Sequence, residues 1–378
     1  MSVRELGNAM GNPLAFPKSA PGGSSGVGDI VTRLSPPSGS YVEADGRQLL
    51  KDMYPKLFSV IGDAYSVADF SGGLTTVTLP SSQGWVAMAY GAGVFVALAS
   101  ATAIAAVSAD GGTTWSSLSL PVSASWISLI YAGGLFVAIA RASSIAITSP
   151  DGISWTQRAL PSSDQWCSLA FGNGIYMAFA DAGAMAKSID GGQTWQTGTS
   201  LPASGARYSA FGVGLFVVLT SGAGSAYTSP DGVTWTSRVL TGATSTTWIG
   251  IAYGNGLFIA LNSVNNVGEV SSDGVIWSPT VPPFLSGPGY ISFGQGRFFV
   301  TLVSGSSPLW TSTLGASWTT TTLGTAAHSV SAIGGGSAVF LRSTLNPSAE
   351  RYSVVSTTNF NVPSLKGDGR LTAYIKVA

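Results

Sequence analysis

Seven copies of a unit about forty residues long predict an all-β fold, a β-propeller of seven four-stranded blades. Three observations carry that expectation. An aromatic recurs at Trp115, Trp155, Trp195, Trp235, Trp277, Trp318 and Phe360, always 40 to 42 residues from the last. A run of the form aromatic-Gly-x-Gly-x-aromatic keeps the same phase at 90–95, 171–176, 211–216, 253–258 and 293–298, with looser copies at 131–136 and 333–340. Between these marks lie short Val/Ile/Thr-rich runs broken by Gly, which lack the 3.6-residue period of a helical solenoid.

The second unit shows each element in turn. WISLIY reads as a first strand, a Gly-rich turn reverses it into LFVAIA, and a loop of variable length leads to SIAITS. An Asp-Gly turn, SPDGISW, then leads into a fourth strand that ends in Leu-Pro. Proline suits an outer strand, because its missing N–H leaves no ladder partner wanting. Aspartate bonds readily to nearby backbone, and glycine supplies positive φ, so the turn reads as a structural corner. Each turn offers one carboxylate where a calcium loop needs several oxygen ligands, so neither metal nor cofactor is expected.

Composition excludes several classes of function. Charged residues are only 9% of the chain, with 17 Lys plus Arg against 17 Asp plus Glu and no basic stripe, so no nucleic-acid partner is expected. The single Cys167 cannot form an internal disulfide. MSVRELGNAMGNP lacks the apolar run of a secretory signal, which implies synthesis in a cytoplasm. Residues 85–107 are 23 uncharged positions, long enough to span a membrane. Their counterparts in the next two units break at Arg141 and Asp181, so all three read as strand pairs and no membrane insertion is expected. His328 is the only histidine, and GGSSG at 22–26 lies in a Pro/Gly/Ser stretch without the strand that a nucleophile elbow requires.

SADGGTTW (108–115) and SIDGGQTW (188–195) resemble the Asp-box (BNR repeat) of sialidase-like propellers at every specified position. SPDGISW, SPDGVTW and SSDGVIW are one residue shorter, TSTLGASW carries Thr313 in place of Asp, and YSVVSTTNF has decayed. The resemblance implies that Asp110, Asp151, Asp190, Asp231 and Asp273 cap backbone N–H groups and that the tryptophans following them, with Trp318, pack between blades. It does not extend to activity. Sialidases use three arginines, a Tyr-Glu pair and an Asp acid, whereas the acids outside the turns from 85 to 365 are only Asp164, Asp181, Glu269 and Glu350. No enzyme is expected, with a glycan-cleaving propeller as the alternative.

Residues 28–65, with Pro37-x-Gly39, Asp45-Gly46, Tyr54-Pro55-x-Leu57-Phe58 and Ile61-Gly62-x-x-Tyr65, resemble the bacteriophage tail collar domain of short tail fibres. The expected organisation is an extended attachment arm over 1–27, a small α+β collar-like domain over 28–74 with a helix around Leu49 to Ile61, the propeller over 75–365, and a C-terminal strand over 366–378 returning to the collar. Two segments compete for the collar's F-x-L-P: TTVTLP at 75–80 and NFNVPSL at 359–365. If TTVTLP completes the last blade, the ring closes by strand exchange and NFNVPSL is left for the collar. The resemblance implies a virion tail fibre or tail-tip protein, a homotrimer, contacts with other tail or baseplate proteins, and a host surface glycan or pilus as receptor. A purely architectural baseplate role is the further alternative.

Second turns and blade links vary most, and irregular loops on a rigid scaffold are where recognition usually resides. Asn262, Asn265, Asn266 and Phe284 are therefore the leading receptor-contact candidates, with Arg141, Asp181, Arg207, His328 and Arg342 beside them.

Overall fold

The computed structural model describes residues 74–353 apart from short loop segments (203, 222–224, 241–247, 263–266, 282–288, 303–307, 316, 323–327, 335–336 and 343–347), and outside that range the strand residues 30–33, 41–43, 48–50, 359–361 and 372–376. Every described element longer than a turn is a strand, and the chain divides into two compact units. One comprises residues 1–72 with 354–378, the other residues 73–353.

The larger unit is a seven-bladed β-propeller. Blade two sets the pattern: Trp126–Ala132, Leu135–Ala140, Ser143–Ser149 and Thr156–Asp164 form an antiparallel sheet in chain order. Blades one and three to six repeat it, their first strands beginning at Trp85, Trp166, Ala206, Trp248 and Gly289. Blade seven differs. Its first three strands are His328–Gly334, Ser337–Arg342 and Ser348–Ser353, and its fourth is Leu74–Thr78 from the start of the unit. The pairing runs from Ser348↔Thr78 to Tyr352↔Leu74. First strands of neighbouring blades touch all the way round, including blade seven against blade one.

The repeated Gly-aromatic run has a packing cause. The glycine that ends the first strand in six blades, and Gly133 just after Ala132 in blade two, leave room for the aromatic or aliphatic side chain of the next blade. A Cβ on Gly172 would lie 2.0 Å from the Phe211 ring, one on Gly212 2.3 Å from Tyr253, and one on Gly334 of blade seven 1.9 Å from Tyr90 of blade one. Each such ring also packs in its own blade on the aromatic five positions on, as in Tyr90 with Phe95, whose centroids are 4.7 Å apart. The second glycine serves the turn itself. Gly174, at φ 77°, follows Asn173 at φ 50°, both in the left-handed region that two-residue hairpins require.

In the smaller unit, Thr372–Lys376 lies between Ile30–Arg33 and Tyr41–Glu43 in a three-stranded sheet, and Gln48–Leu50 pairs with Asn359–Asn361. This corrects two expectations. The propeller ends at Ser353 rather than at 365, because Leu74–Thr78 already fills the fourth place of blade seven, and Phe360 pairs with Leu49 instead of closing a repeat. Leu49 belongs to a strand rather than to the start of a helix, and residues 51–61 of that expected helix lie outside the described residues, as does the arm over 1–27. NFNVPSL thus contributes its first three residues to the smaller unit, and TTVTLP sits in the propeller.

Gly172→Ala is expected to destabilise the propeller by about 1–3 kcal/mol through overpacking against Phe211. In a Phe211→Ala background the same change should cost less than half as much. Urea melts of the four proteins measure this, and an equal cost in both backgrounds would contradict the ring-on-glycine account.

Candidate functional site

The two sides of the disc are chemically unlike. First and third turns emerge on one side, and there the Asp-Gly turns spend their polar groups on themselves. In blade two the Asp151 carboxylate accepts from the backbone N–H of Ile153 and Ser154 at 2.8 and 2.7 Å and from the Ser149 hydroxyl at 3.0 Å, while Ser149 Oγ accepts from Gly152 N–H at 2.8 Å. Trp155 Nε1 donates to the Gly152 carbonyl at 3.1 Å. Asp110, Asp190, Asp231 and Asp273 are bound in the same manner. Each turn also leans on the preceding blade. A Cβ on Gly152 would meet Val96 of blade one at 2.7 Å, and one on Gly112 would meet Val339 of blade seven at 2.6 Å. The tryptophans follow suit: Trp115 packs with Ala332 and Val339, Trp155 with blade one, Trp195 with Val137, Trp235 with Phe179, Trp277 with Val217, and Trp318 with Ile259.

Second turns and blade links emerge on the other side, and there Arg141, Asp181 and Arg207 come together. In six blades the first strand carries a one-residue irregularity next to its opening residue, which sets aside Val86, Ile127, Cys167, Arg207, Ile249 and Ser329. Bulges of this kind re-aim a side chain. Arg207 of blade four places Nη2 3.1 Å from Asp181 Oδ2 in the second turn of blade three. Arg141, in the second turn of blade two, reaches the same oxygen with Nη2 at 3.8 Å, donates from Nε to Gln165 Oε1 at 2.9 Å, and lies 3.7 Å from Cys167 Sγ through Nη1. Two guanidinium groups from different blades therefore share one carboxylate.

The backbone beneath them is fixed. Arg141 N–H donates to the Ser125 carbonyl at 2.8 Å and Asp181 N–H to the Gln165 carbonyl at 2.9 Å, tying each second turn to a blade link. The side chains remain partly open, with relative exposures of 35%, 28% and 46% for Arg141, Asp181 and Arg207. Beside them, Tyr208 of blade four and Tyr290 of blade six occupy corresponding strand positions, pairing with Leu219 and Thr301, while blade five has Gly250 there, paired with Leu261. Burial raises the Tyr208 phenol above its ordinary value, and the nearby Tyr290 adds to that while Arg207 opposes it. Burial likewise pushes the Cys167 thiol up, against the pull of Arg141 and Arg207.

The sequence-expected contact set divides. Arg141, Asp181 and Arg207 come together, joined by Gln165, Cys167 and Tyr208, which sequence reasoning missed because partners from separate blades carry no shared spacing. Asn262 is corrected: it is 2% exposed and ends the second strand of blade five, its N–H donating to the Val267 carbonyl at 3.0 Å, so it is not a surface contact. Asn265, Asn266 and Phe284 lie outside the described residues. His328 and Arg342 face one another across the blade-seven ladder by backbone pairing, and their side chains lie outside the described residues. No group of three or more His, Cys, Asp or Glu able to hold a metal occurs among the described residues, and no helix long and apolar enough to cross a membrane occurs among them.

Closed blades, a strand-exchanged seventh sheet and a charged cluster on one face define a β-propeller protein. Residues 75–212 match the DUF6242 beta propeller domain, and residues 29–87 match the Phage Tail Collar Domain. The chain thus joins a phage tail collar domain to a propeller, the make-up of a phage tail protein whose place is the virion tail. The two matches overlap at 75–87, and Leu74–Thr78 pairs with the propeller. No curated protein matches the chain. Among solved structures, a streptogramin B lyase is similar with a TM-score of 0.64 at 14% identity, over 74% of this chain and 96% of that one. The structure described as YCF48 bound to D1 peptide is similar with a TM-score of 0.59 at 17% identity, over 77% and 100%. A catalytically inactive virginiamycin B lyase from Staphylococcus aureus with quinupristin has a TM-score of 0.64 at 11% identity, over 75% and 99%. At these identities the likeness is one of fold.

The turn aspartates make stability depend on acid. Backbone N–H donors hold the Asp151 carboxyl down to about 2, and Thr194 does the same for Asp190, also to about 2. An unfolded Asp titrates near 3.9, so this contribution is complete above about pH 4 and is lost as pH falls through about 2. The melting temperature should therefore hold from pH 7 to 5 and fall between about pH 4 and 2. The fall should be shallower in Asp151→Asn with Asp190→Asn. Equal slopes for variant and parent would contradict the assignment.

Proposed function

We propose that this phage tail protein recognises the host cell surface through the side of its propeller that carries Arg141, Asp181 and Arg207. The observation that carries the reading is the contrast between the two sides of the disc. One side commits its carboxylates and hydroxyls to its own turns, as in Asp151 and Ser149, whereas the other presents partly open charged side chains drawn from three blades. A rigid scaffold with exposed polar groups at one rim suits binding. Propellers of similar fold are described with a D1 peptide and with quinupristin, which fits a ligand-holding role for such a disc.

In this reading the collar and the N-terminal arm attach the chain to other tail or baseplate proteins, as a homotrimer made in the host cytoplasm, and the receptor is a surface glycan or pilus. The chain acts by binding and not by catalysis. Glycoside hydrolysis needs two free carboxyl groups in one cleft. Of the acids outside the turns, Glu269 and Glu350 are 0% and 1% exposed, Asp164 accepts from the Ser162 hydroxyl, and Asp181 is engaged by two arginines.

Adsorption tests this directly. Purified full-length protein should bind host cells and block infection, and the triple change Arg141→Ala, Asp181→Ala, Arg207→Ala should weaken adsorption by roughly tenfold or more while moving the melting temperature by only a few degrees, as surface substitutions do. Gln193→Ala, on the opposite side, should adsorb as the parent does. Equal adsorption by the triple variant would refute the placement, and release of soluble sugar from host polysaccharide would favour the glycan-cleaving alternative.

A further inference from the structure

Within the recognition side, the Arg141–Asp181–Arg207 cluster has an unbalanced charge and unused donors. Two guanidinium groups meet one carboxylate oxygen, which leaves one positive charge in excess among these three residues. Arg141 is consumed by its neighbours: Nε on Gln165, Nη1 against Cys167 and Nη2 toward Asp181. Arg207 is not. Its Nη2 donates to Asp181 at 3.1 Å, no second hydrogen bond from its five-donor fork occurs among the described residues, and 46% of the side chain is open. Asp181 anchors one arm of the fork, and the strand irregularity sets Arg207 apart from the ladder pairing. A planar fork of this kind matches carboxylate and phosphate oxygens in a bidentate manner.

The neighbours add a second feature. Tyr208 is half-buried and within electrostatic reach of both Arg207 and Tyr290, and Tyr290 is 39% exposed despite its position in a first strand. The intervening blade carries Gly250 at the corresponding position and so adds no third ring there, the room beside it being taken by Ile291 of blade six, whose Cγ2 would lie 2.8 Å from a Cβ on Gly250. Phenols offer an apolar body with a polar tip, a suitable floor for a ring bearing hydroxyls.

We propose that Arg207, held by Asp181 and followed in its strand by Tyr208, with Tyr290 beyond that phenol, is the anion-binding residue of a subsite for acidic sugars, taking a carboxylate or phosphate substituent of a host surface polysaccharide. This rests on the reading of that side as the recognition side and names the ligand chemistry. Arg141 and Gln165 are positioning residues, since they act through Asp181 and the blade link.

The test uses the full-length chain and three probes: oligogalacturonate, the same oligomer as its methyl ester, and inorganic phosphate. Isothermal titration should show binding of oligogalacturonate or phosphate, weakened by added salt, and at least about tenfold weaker binding of the methyl ester. Arg207→Gln should lose about tenfold or more in affinity for the anion with an unchanged melting temperature, and Arg207→Lys should recover only part, because a lysine keeps the charge without the fork. Asp181→Asn should weaken binding less than Arg207→Gln does. Preference for oligogalacturonate identifies a carboxylate source and preference for phosphate a phosphorylated one, and both support the subsite. Failure of parent protein to bind either anion, or equal affinity of parent and Arg207→Gln, overturns it. Host-cell adsorption separates the two levels: an Arg207→Gln protein that adsorbs normally sinks the acidic-sugar subsite and leaves the recognition side standing, whereas a parent protein that does not adsorb at all sinks the broader reading.

Discussion

The rest of the propeller depends on one contact, a side chain of each first strand laid over the glycine at the end of the preceding blade's first strand. Phe211 on Gly172 and Tyr253 on Gly212 carry it through the middle of the ring, and Tyr90 on Gly334 carries it across the seam. A closed ring imposes a condition an open sheet does not: the last blade must present the same surface to the first that every blade presents to its successor. Blade seven meets it by taking Leu74–Thr78 as its outer strand, so the two ends of the unit are locked in one sheet. The seam is then packed like any other, with Val77, Leu79, Met88, Phe95, Val339 and Leu341 in one cluster. Arg351 Nε donates to the Gly111 carbonyl across it at 2.6 Å.

That contact also explains the division of labour between the two sides. The Asp-Gly turns brace each blade against its predecessor, and their carboxylates are occupied in shaping the turn. Changes there disturb packing, so that side is poorly suited to vary. Second turns carry no comparable burden. Their backbone is pinned to blade links by main-chain hydrogen bonds, from Arg141 N–H to Ser125 and, at Asp181, both to the Gln165 carbonyl and from the Gly205 N–H, which leaves the side chains free to differ from blade to blade. A constant brace on one side and a variable surface on the other follow from the same repeat.

What was legible in the sequence follows the same line. Contacts made identically in every blade leave a period, so the blade count, the hairpin glycines and the corner aspartates could be read directly. The strand exchange is legible because TTVTLP resembles other fourth strands, yet the period carries the expected propeller to 365, twelve residues beyond its end at Ser353, since Phe360 falls in phase with the repeat while pairing with Leu49. Asn262 misled for a related reason: its polarity suggests a loop, but its place at the end of a second strand buries it. The helix expected around Leu49 rested on amphipathic spacing, and strand pairing with Asn359–Asn361 takes its first residues. The charged cluster was legible only as a set of separate loop residues. Arg141, Gln165, Asp181 and Arg207 are brought together by the ring, and a distance across blades has no sequence signature.

The central claim is that one cooperative ring is closed by Leu74–Thr78. Differential scanning calorimetry of the full chain against a variant lacking residues 75–80 tests it most directly. The account predicts that the cooperative propeller transition of the parent is lost in the deletion, because blade seven loses its outer strand and exposes an unpaired edge. A deletion variant that melts in the same single transition at the same temperature would contradict it.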